Sequence, residues 1–124
     1  MHKPICLIYL NELEFKANLK TWAEEFGIEC YFVMQGEQLY QLVKNWAPFM
    51  ILVDLTAADT EWLYKHIAMI QLFKPGFPML AIVPEHQERP RQRAEGYGCK
   101  FVLTRAEFVK KAPKLIEKIL NKQM

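Results

Sequence analysis

The 124-residue chain contains no serine, which excludes a serine nucleophile outright. Its three cysteines, Cys6, Cys30 and Cys99, are far apart, form no C-x-x-C pair and leave an odd count. Neither a disulfide framework nor a zinc site is built from such a set. No histidine stands at metal-ligand spacing. Glycine-rich phosphate loops of the G-x-G-x-x-G and G-x-x-x-x-G-K-[ST] kinds are missing. No apolar run approaches the roughly 20 residues that a membrane helix needs. No secretory leader precedes the first apolar run, at Ile5. Repeats, linkers and low-complexity tracts are absent as well. The expectation is a cytoplasmic protein whose cysteines are buried free thiols.

What is present is a core. The chain is 52% hydrophobic and 13% aromatic, too apolar for disorder and of a length for one domain, residues 1–124. The net charge of +2 gives no bulk attraction to nucleic acid, and no recognition motif accompanies the basic residues. The charge is nevertheless polarised. Lys110, Lys111, Lys114, Lys118 and Lys122 crowd the end of the chain, with Arg89, Arg91, Arg93 and Arg105 just before them. That is a solvated basic helix or, more pointedly, a docking face for an acidic partner.

Apolar runs of strand length alternate with helix-period segments. Ile5–Leu10 is the first strand. Phe15, Leu19, Trp22 and Phe26 follow on one helical face, closed by Gly27. Ile28–Met34 is a second strand, and Gln35–Gly36 turns into a helix carrying Leu39, Leu42, Val43 and Trp46. Pro48 stops it before a third strand, Phe49–Asp54. Leu63, Ile67 and Ile70 mark a third helix, ended by Pro75–Gly76, ahead of a strand at Met79–Val83. The polar, Arg-rich stretch Glu85–Glu95 is the weakest helical pattern, with Ala94 its one apolar residue. Phe101–Leu103 is a short fifth strand. Leu115, Ile116, Ile119 and Leu120 give a last helix, with Pro113 in its first turn or just before it. Five strands alternating with five helices predict one doubly wound α/β domain with a parallel five-stranded sheet in the flavodoxin-like order 2-1-3-4-5. Its ligand site lies beyond the carboxyl ends of the first and third strands, at Leu10-Asn11-Glu12 and Asp54.

Asp54 is the most informative single residue. It closes an apolar run, Phe49–Val53, that reads as a strand buried on both faces. An acid inside such a strand is costly, so at the strand end it is either a site residue or a helix cap. Asp59, Thr60 and Glu61 suffice to cap the next helix.

The chain resembles a bacterial response-regulator receiver domain from end to end. Gly27–Val43 looks like the family's second strand and helix, with its turn glycine at Gly36. Ala47–Leu55 (APFMILVDL) is similar to the phosphoacceptor strand, Pro78–Pro84 (PMLAIVP) to the fourth strand, and Ala94–Phe108 (AEGYGCKFVLTRAEF) to the fifth. The resemblance implies a Mg²⁺ held by two acids after the first strand and by the phosphoacceptor aspartate. It also implies a hydroxyl after the fourth strand and a lysine after the fifth, which bind the other phosphoryl oxygens. Asp54 matches the phosphoacceptor. The acid pair falls on Leu10 and Asn11, or on Asn11 and Glu12 in a register shifted by one, and one acid at least is lost. The remaining metal candidates are Asn11, Glu12, Asp54 and Thr56. The hydroxyl position falls on Val83, with Pro84 beside it, and neither donates. The lysine position holds Arg105, forked and bulkier, followed by Ala106 in place of proline. The aromatic switch position holds Val102.

The missing hydroxyl alone removes a hydrogen bond to a charged group, worth about 1.5–3 kcal/mol. The resemblance therefore implies a degenerate receiver of a two-component or phosphorelay system. It is no enzyme, needs no cofactor beyond a weakened Mg²⁺, and works by protein–protein contact. The expected face is the fourth-helix region, fifth strand and last helix, through which receivers dock or form homodimers. Asp54 is then either a phosphoacceptor or an acid paired with Arg105. Two rivals stand beside this reading: a working receiver phosphorylated on Asp54, and a small-ligand or nucleotide binder using Asn11, Asp54, His86 and Arg105. His66 lies mid-helix without a phosphotransfer pattern around it and reads as a surface residue.

Overall fold

The computed structural model describes residues 3–10, 13–33, 39–56 and 61–123. Asn11 and Glu12, the turn at Gln35–Gly36, and Asp59 and Thr60 lie outside them. The elements are β1 (Ile5–Tyr9), α1 (Leu13–Phe26), β2 (Glu29–Phe32), α2 (Leu39–Trp46), β3 (Met50–Asp54), α3 (Glu61–Phe73), β4 (Met79–Ile82), α4 (Glu88–Tyr97), β5 (Phe101–Leu103) and α5 (Arg105–Gln123). The strands form one parallel sheet in the order β2-β1-β3-β4-β5, the flavodoxin-like order the sequence predicts.

Strand alternation sorts the core into two layers. Leu7, Ile51, Val53, Met79 and Ala81 face one way and pack with Leu39 and Val43 of α2, with Leu63, Ile67 and Ile70 of α3, and with Ala94 of α4. Cys6, Ile8, Met50, Leu52, Leu80 and Ile82 face the other way. They meet Leu19 and Ala23 of α1 and Phe108, Ala112, Ile116 and Ile119 of α5. Central β3 and β4 are buried at every position, while edge strand β2 alternates between exposed and half-buried. All three cysteines are free thiols. Burial pushes Cys30 up to about 11 and Cys99 to about 12, so neither is a thiolate near neutral pH.

Two helices depart from their sequence pattern. The last begins at Arg105, and Pro113 lies inside it rather than in its first turn. The buried stripe Phe108, Ala112, Ile116 and Ile119 runs through the proline. Its contacts outweigh the one backbone hydrogen bond that Pro113 cannot donate. The polar helix α4 keeps only Ala94 buried and is held by its arginines, as described below. Its C-terminus closes with Gly98 at φ +119°, where the N–H groups of Gly98 and Cys99 donate to the carbonyls of Glu95 and Ala94. Among the described residues, no helix is long and apolar enough to cross a membrane.

Candidate functional site at the carboxyl ends of the strands

The middle strand of the sheet delivers Asp54 to its carboxyl end with 2% of its surface exposed, the one buried charged side chain among the described residues. The register partner of Asp54 on β4 is Ile82. Leu55 N–H still donates to the Ile82 carbonyl at 2.8 Å, so the backbone stays in the sheet one residue past the acid. A carboxylate so placed needs partners of its own.

Thr56 supplies them. Its N–H donates to Asp54 Oδ1 at 2.9 Å, and its hydroxyl donates to the same oxygen at 2.6 Å. The hydroxyl oxygen in turn accepts from Arg105 Nη2 at 2.9 Å. The same Arg105 nitrogen lies 3.7 Å from Asp54 Oδ2, at the outer limit of an ion pair. The Asp54–Arg105 pairing expected from the sequence is thus a chain of three, with Thr56 as its middle member. A hydroxyl can donate once and accept at the same time, and here it does both.

Arg105 is aimed by the start of α5. Thr104 and Glu107 form a capping box: Glu107 N–H donates to Thr104 Oγ1 at 3.2 Å, and Thr104 N–H donates to Glu107 Oε1 at 3.0 Å. Arg91 of α4 donates to Glu107 Oε1 and to the Val102 carbonyl, both at 2.8 Å. The Thr104 N–H first, and then Arg91, hold the Glu107 carboxyl down at about 2. Apolar periodicity does not reveal this clamp, although T-x-x-E at 104–107 is its sequence signature. A second clamp joins α4 to α3. Arg93 binds both carboxylate oxygens of Glu61 and lies 4.3 Å above the Tyr64 ring. Two arginines of the Arg-rich stretch are therefore engaged internally. Exposed cations of this side include Arg89, Lys100, Lys110, Lys114 and Lys118, and Lys111 reaches back to Glu107.

Thr56, Val83, Pro84, Glu85 and Arg105 line an open hollow of about 390 Å³. Val83 is buried, and its N–H donates to the Leu103 carbonyl at 2.9 Å, so an aliphatic wall stands at the position the resemblance matches to a hydroxyl. Val102 is packed in the α2–α4 layer of the core, too small and too enclosed to act as an aromatic rotor. His86 is exposed at φ +61° and lines a neighbouring hollow with Arg91 and Glu107; it does not line the hollow beside Asp54. Trp62 meets Tyr9 edge-on at 5.4 Å. Tyr9 is the register partner of Val53, the residue before Asp54. His66, half-buried, stacks edge-on to Trp62.

Of the magnesium candidates, Asn11 and Glu12 lie outside the described residues, and the two described ones, Asp54 and Thr56, are hydrogen-bonded to each other. Mg²⁺ requires hard oxygens in octahedral order. Asp54 Oδ1 already accepts two hydrogen bonds, and Oδ2 faces a guanidinium. Among the described residues, no three His, Cys, Asp or Glu side chains are grouped to hold a metal.

The sequence matches no family model and no curated protein, whereas solved structures match it over nearly its whole length. A response regulator from Thermotoga maritima superposes with a TM-score of 0.79 at 11% identity, over 97% of this chain and 99% of that one. The receiver domain of the Francisella response regulator 1452 gives 0.79 at 13% identity, over 98% and 100%. The receiver domain of Saccharomyces cerevisiae Ssk1, crystallised with the histidine phosphotransfer protein Ypd1, gives 0.68 at 16% identity, over 83% and 79%. At these identities the likeness is one of fold. The fold is that of the CheY-like receiver domains.

Proposed function

We propose that the chain is a receiver-type module of two-component signalling that acts through protein–protein contact, with Mg²⁺-dependent phosphorylation of Asp54 weakened or lost. The observation that carries this reading is the engagement of Asp54 by its own neighbours: Thr56 on one oxygen and Arg105 facing the other. A phosphoacceptor needs a free carboxylate oxygen in line with an incoming phosphoryl group, and a cation to neutralise the charge that develops. Here Oδ1 is occupied by two hydrogen bonds. The guanidinium stands against a second cation. The hydroxyl and aromatic positions, Val83 and Val102, offer no means of relaying a phosphoryl signal. The module is not an enzyme on this reading, and its location is cytoplasmic, in keeping with its protonated free thiols.

The face formed by α4, β5 and α5 is the proposed contact surface, for a signalling partner or for a second copy. Lys110, Lys114 and Lys118 recur at i, i+4 and i+8 as an exposed stripe, beside Val109 at 53% exposure. Among the structural neighbours, Ssk1 pairs with a phosphotransfer protein, a precedent for a protein partner. The test is affinity capture from the source cells with wild type, Asp54→Asn and a Lys110→Glu/Lys114→Glu chain. The same partner is expected with wild type and Asp54→Asn, and its loss is expected with the charge reversal. A partner that depends on Asp54 and ignores the lysines contradicts the proposal.

A further inference from the structure

The α2–α3 side of the molecule carries a surface that the Asp54 site does not use. On α3, Lys65, Met69, Leu72 and Phe73 recur at i, i+4, i+7 and i+8, one stripe of a helix. The core stripe of the same helix, Leu63, Tyr64, Ile67 and Ile70, points into the sheet. The outer stripe is nonetheless apolar, with Met69 42%, Phe73 49% and Leu72 83% exposed. Phe73 meets Tyr40 of α2 edge-on at 5.9 Å. Lys44, one turn beyond Tyr40, lies over both rings, at 5.2 Å and 6.0 Å. Tyr40, Phe73, Met69 and Leu72 thus form one strip along the seam between two helices. Single exposed apolar side chains are ordinary, but an adjoining set rimmed by charge marks an interaction surface.

The charge selects the occupant. Residues 39–46 and 62–76 contain three lysines, Lys44, Lys65 and Lys74, and no Asp or Glu, in a chain whose 14 acids nearly balance its 16 Lys and Arg. Glu61, at the start of α3, is held at both oxygens by Arg93; of the three lysines it acts on Lys65, one turn along the helix. A second copy packed across a two-fold axis would bring lysine rim against lysine rim. A membrane would be met best by free, projecting side chains, whereas Phe73 is pinned between Tyr40 and Lys44. A seam of this shape suits a helix with anchors on one face. We propose that the α2–α3 face docks an acidic amphipathic helix of a protein partner. Its apolar anchors lie on Tyr40, Met69, Leu72 and Phe73, and its carboxylates face Lys44, Lys65 and Lys74. This surface is separate from the α4–β5–α5 face and independent of the state of Asp54.

The test uses the full chain, labelled with ¹⁵N, and a synthetic peptide of about 18 residues, five turns of helix. The peptide carries Leu and Phe at i, i+3, i+4 and i+7 and Glu elsewhere. One control scrambles the stripe, and the other keeps it with Lys in place of Glu. Amide shifts concentrated at 40–46 and 65–76 are expected from the acidic amphipathic peptide alone, weakening as salt is raised. A loss of affinity of about tenfold or more is expected in Leu72→Glu, a change at an exposed position whose folding is checked by circular dichroism. Lys44→Glu/Lys65→Glu tests the charge separately and should weaken binding likewise. Absence of shifts at millimolar peptide, equal shifts from either control, or shifts centred on α4–β5–α5 overturn the proposal. So does co-sedimentation with phosphatidylglycerol vesicles that Leu72→Glu abolishes, which assigns the face to a membrane. A concentration-dependent dimer abolished by the same change assigns it to a second copy and overturns the proposal too.

Discussion

Thr56 decides the character of the site. It gives Asp54 Oδ1 two donors, its N–H and its hydroxyl, and the hydroxyl also links the acid to Arg105, which faces Oδ2. Thr56→Val keeps the side-chain shape and the backbone N–H bond but removes the 2.6 Å donor. It also leaves Arg105 without the hydroxyl it reaches at 2.9 Å. The expected cost is about 1–3 kcal/mol, seen as a lower urea midpoint with an unchanged slope. A midpoint equal to wild type would mean that the hydroxyl contributes nothing. Gly98 is the second residue on which much turns. It sits at φ +119°, and an added Cβ would stand 2.4 Å from Gln71 Cγ. Gln71 Nε2 donates to the carbonyls of Phe77 and Gly98, and its Oε1 accepts from Gly76 N–H, so it ties two loops together. Gly98→Ala therefore costs at least the about 1–3 kcal/mol of left-handed strain, with Gln71 displaced as well. Thermal melts that superimpose on wild type contradict this.

The hydrogen bonds of Glu107 join α4, β5 and α5. Its carboxyl is held at about 2, below its ordinary 4.5. A depressed folded pKa stabilises the fold in full above the ordinary value, and that contribution is lost as pH falls toward 2. Melting temperature recorded from pH 7 to pH 2 should fall more steeply below about 4.5 in wild type than in Glu107→Gln. Parallel curves would show that the carboxylate plays no such part. At this scale the sequence and the structure agree best where periodicity is strong. All five strands and the core of α1, α2 and α3 follow from apolar spacing, because burial decides all of them but the edge strand β2, which is half-buried at best. The polar helix α4 carries little periodicity, since side-chain ion pairs to other elements hold it, and these are long-range. Pro113 misleads about the start of α5 because a local propensity is overridden by a buried stripe that continues past it. At the site, Asp54 and Arg105 are legible as an acid at a strand end and a base near the next. Their link through Thr56 is not, because a two-residue turn that folds a hydroxyl back onto its own strand has no periodicity to betray it.

Across the whole molecule, the proposed reading keeps the receiver fold and fills the positions matched to phosphoryl handling with other chemistry. On that reading buried Val83 stands at the hydroxyl position and buried Val102 at the aromatic one, and Arg105, bonded to Thr56, faces Asp54. The surface carries two separate lysine-bearing faces, one on α5 and one on α2–α3, which is the distribution a module working by docking would use. The central claim is that Asp54 is satisfied by the protein itself and is not a working phosphoacceptor. It is tested most directly by the intact mass of the chain after incubation with acetyl phosphate and Mg²⁺, beside an Asp54→Asn chain shown to be folded. No change in mass is expected in either. A phosphoryl-sized gain in wild type that disappears in Asp54→Asn would contradict the account.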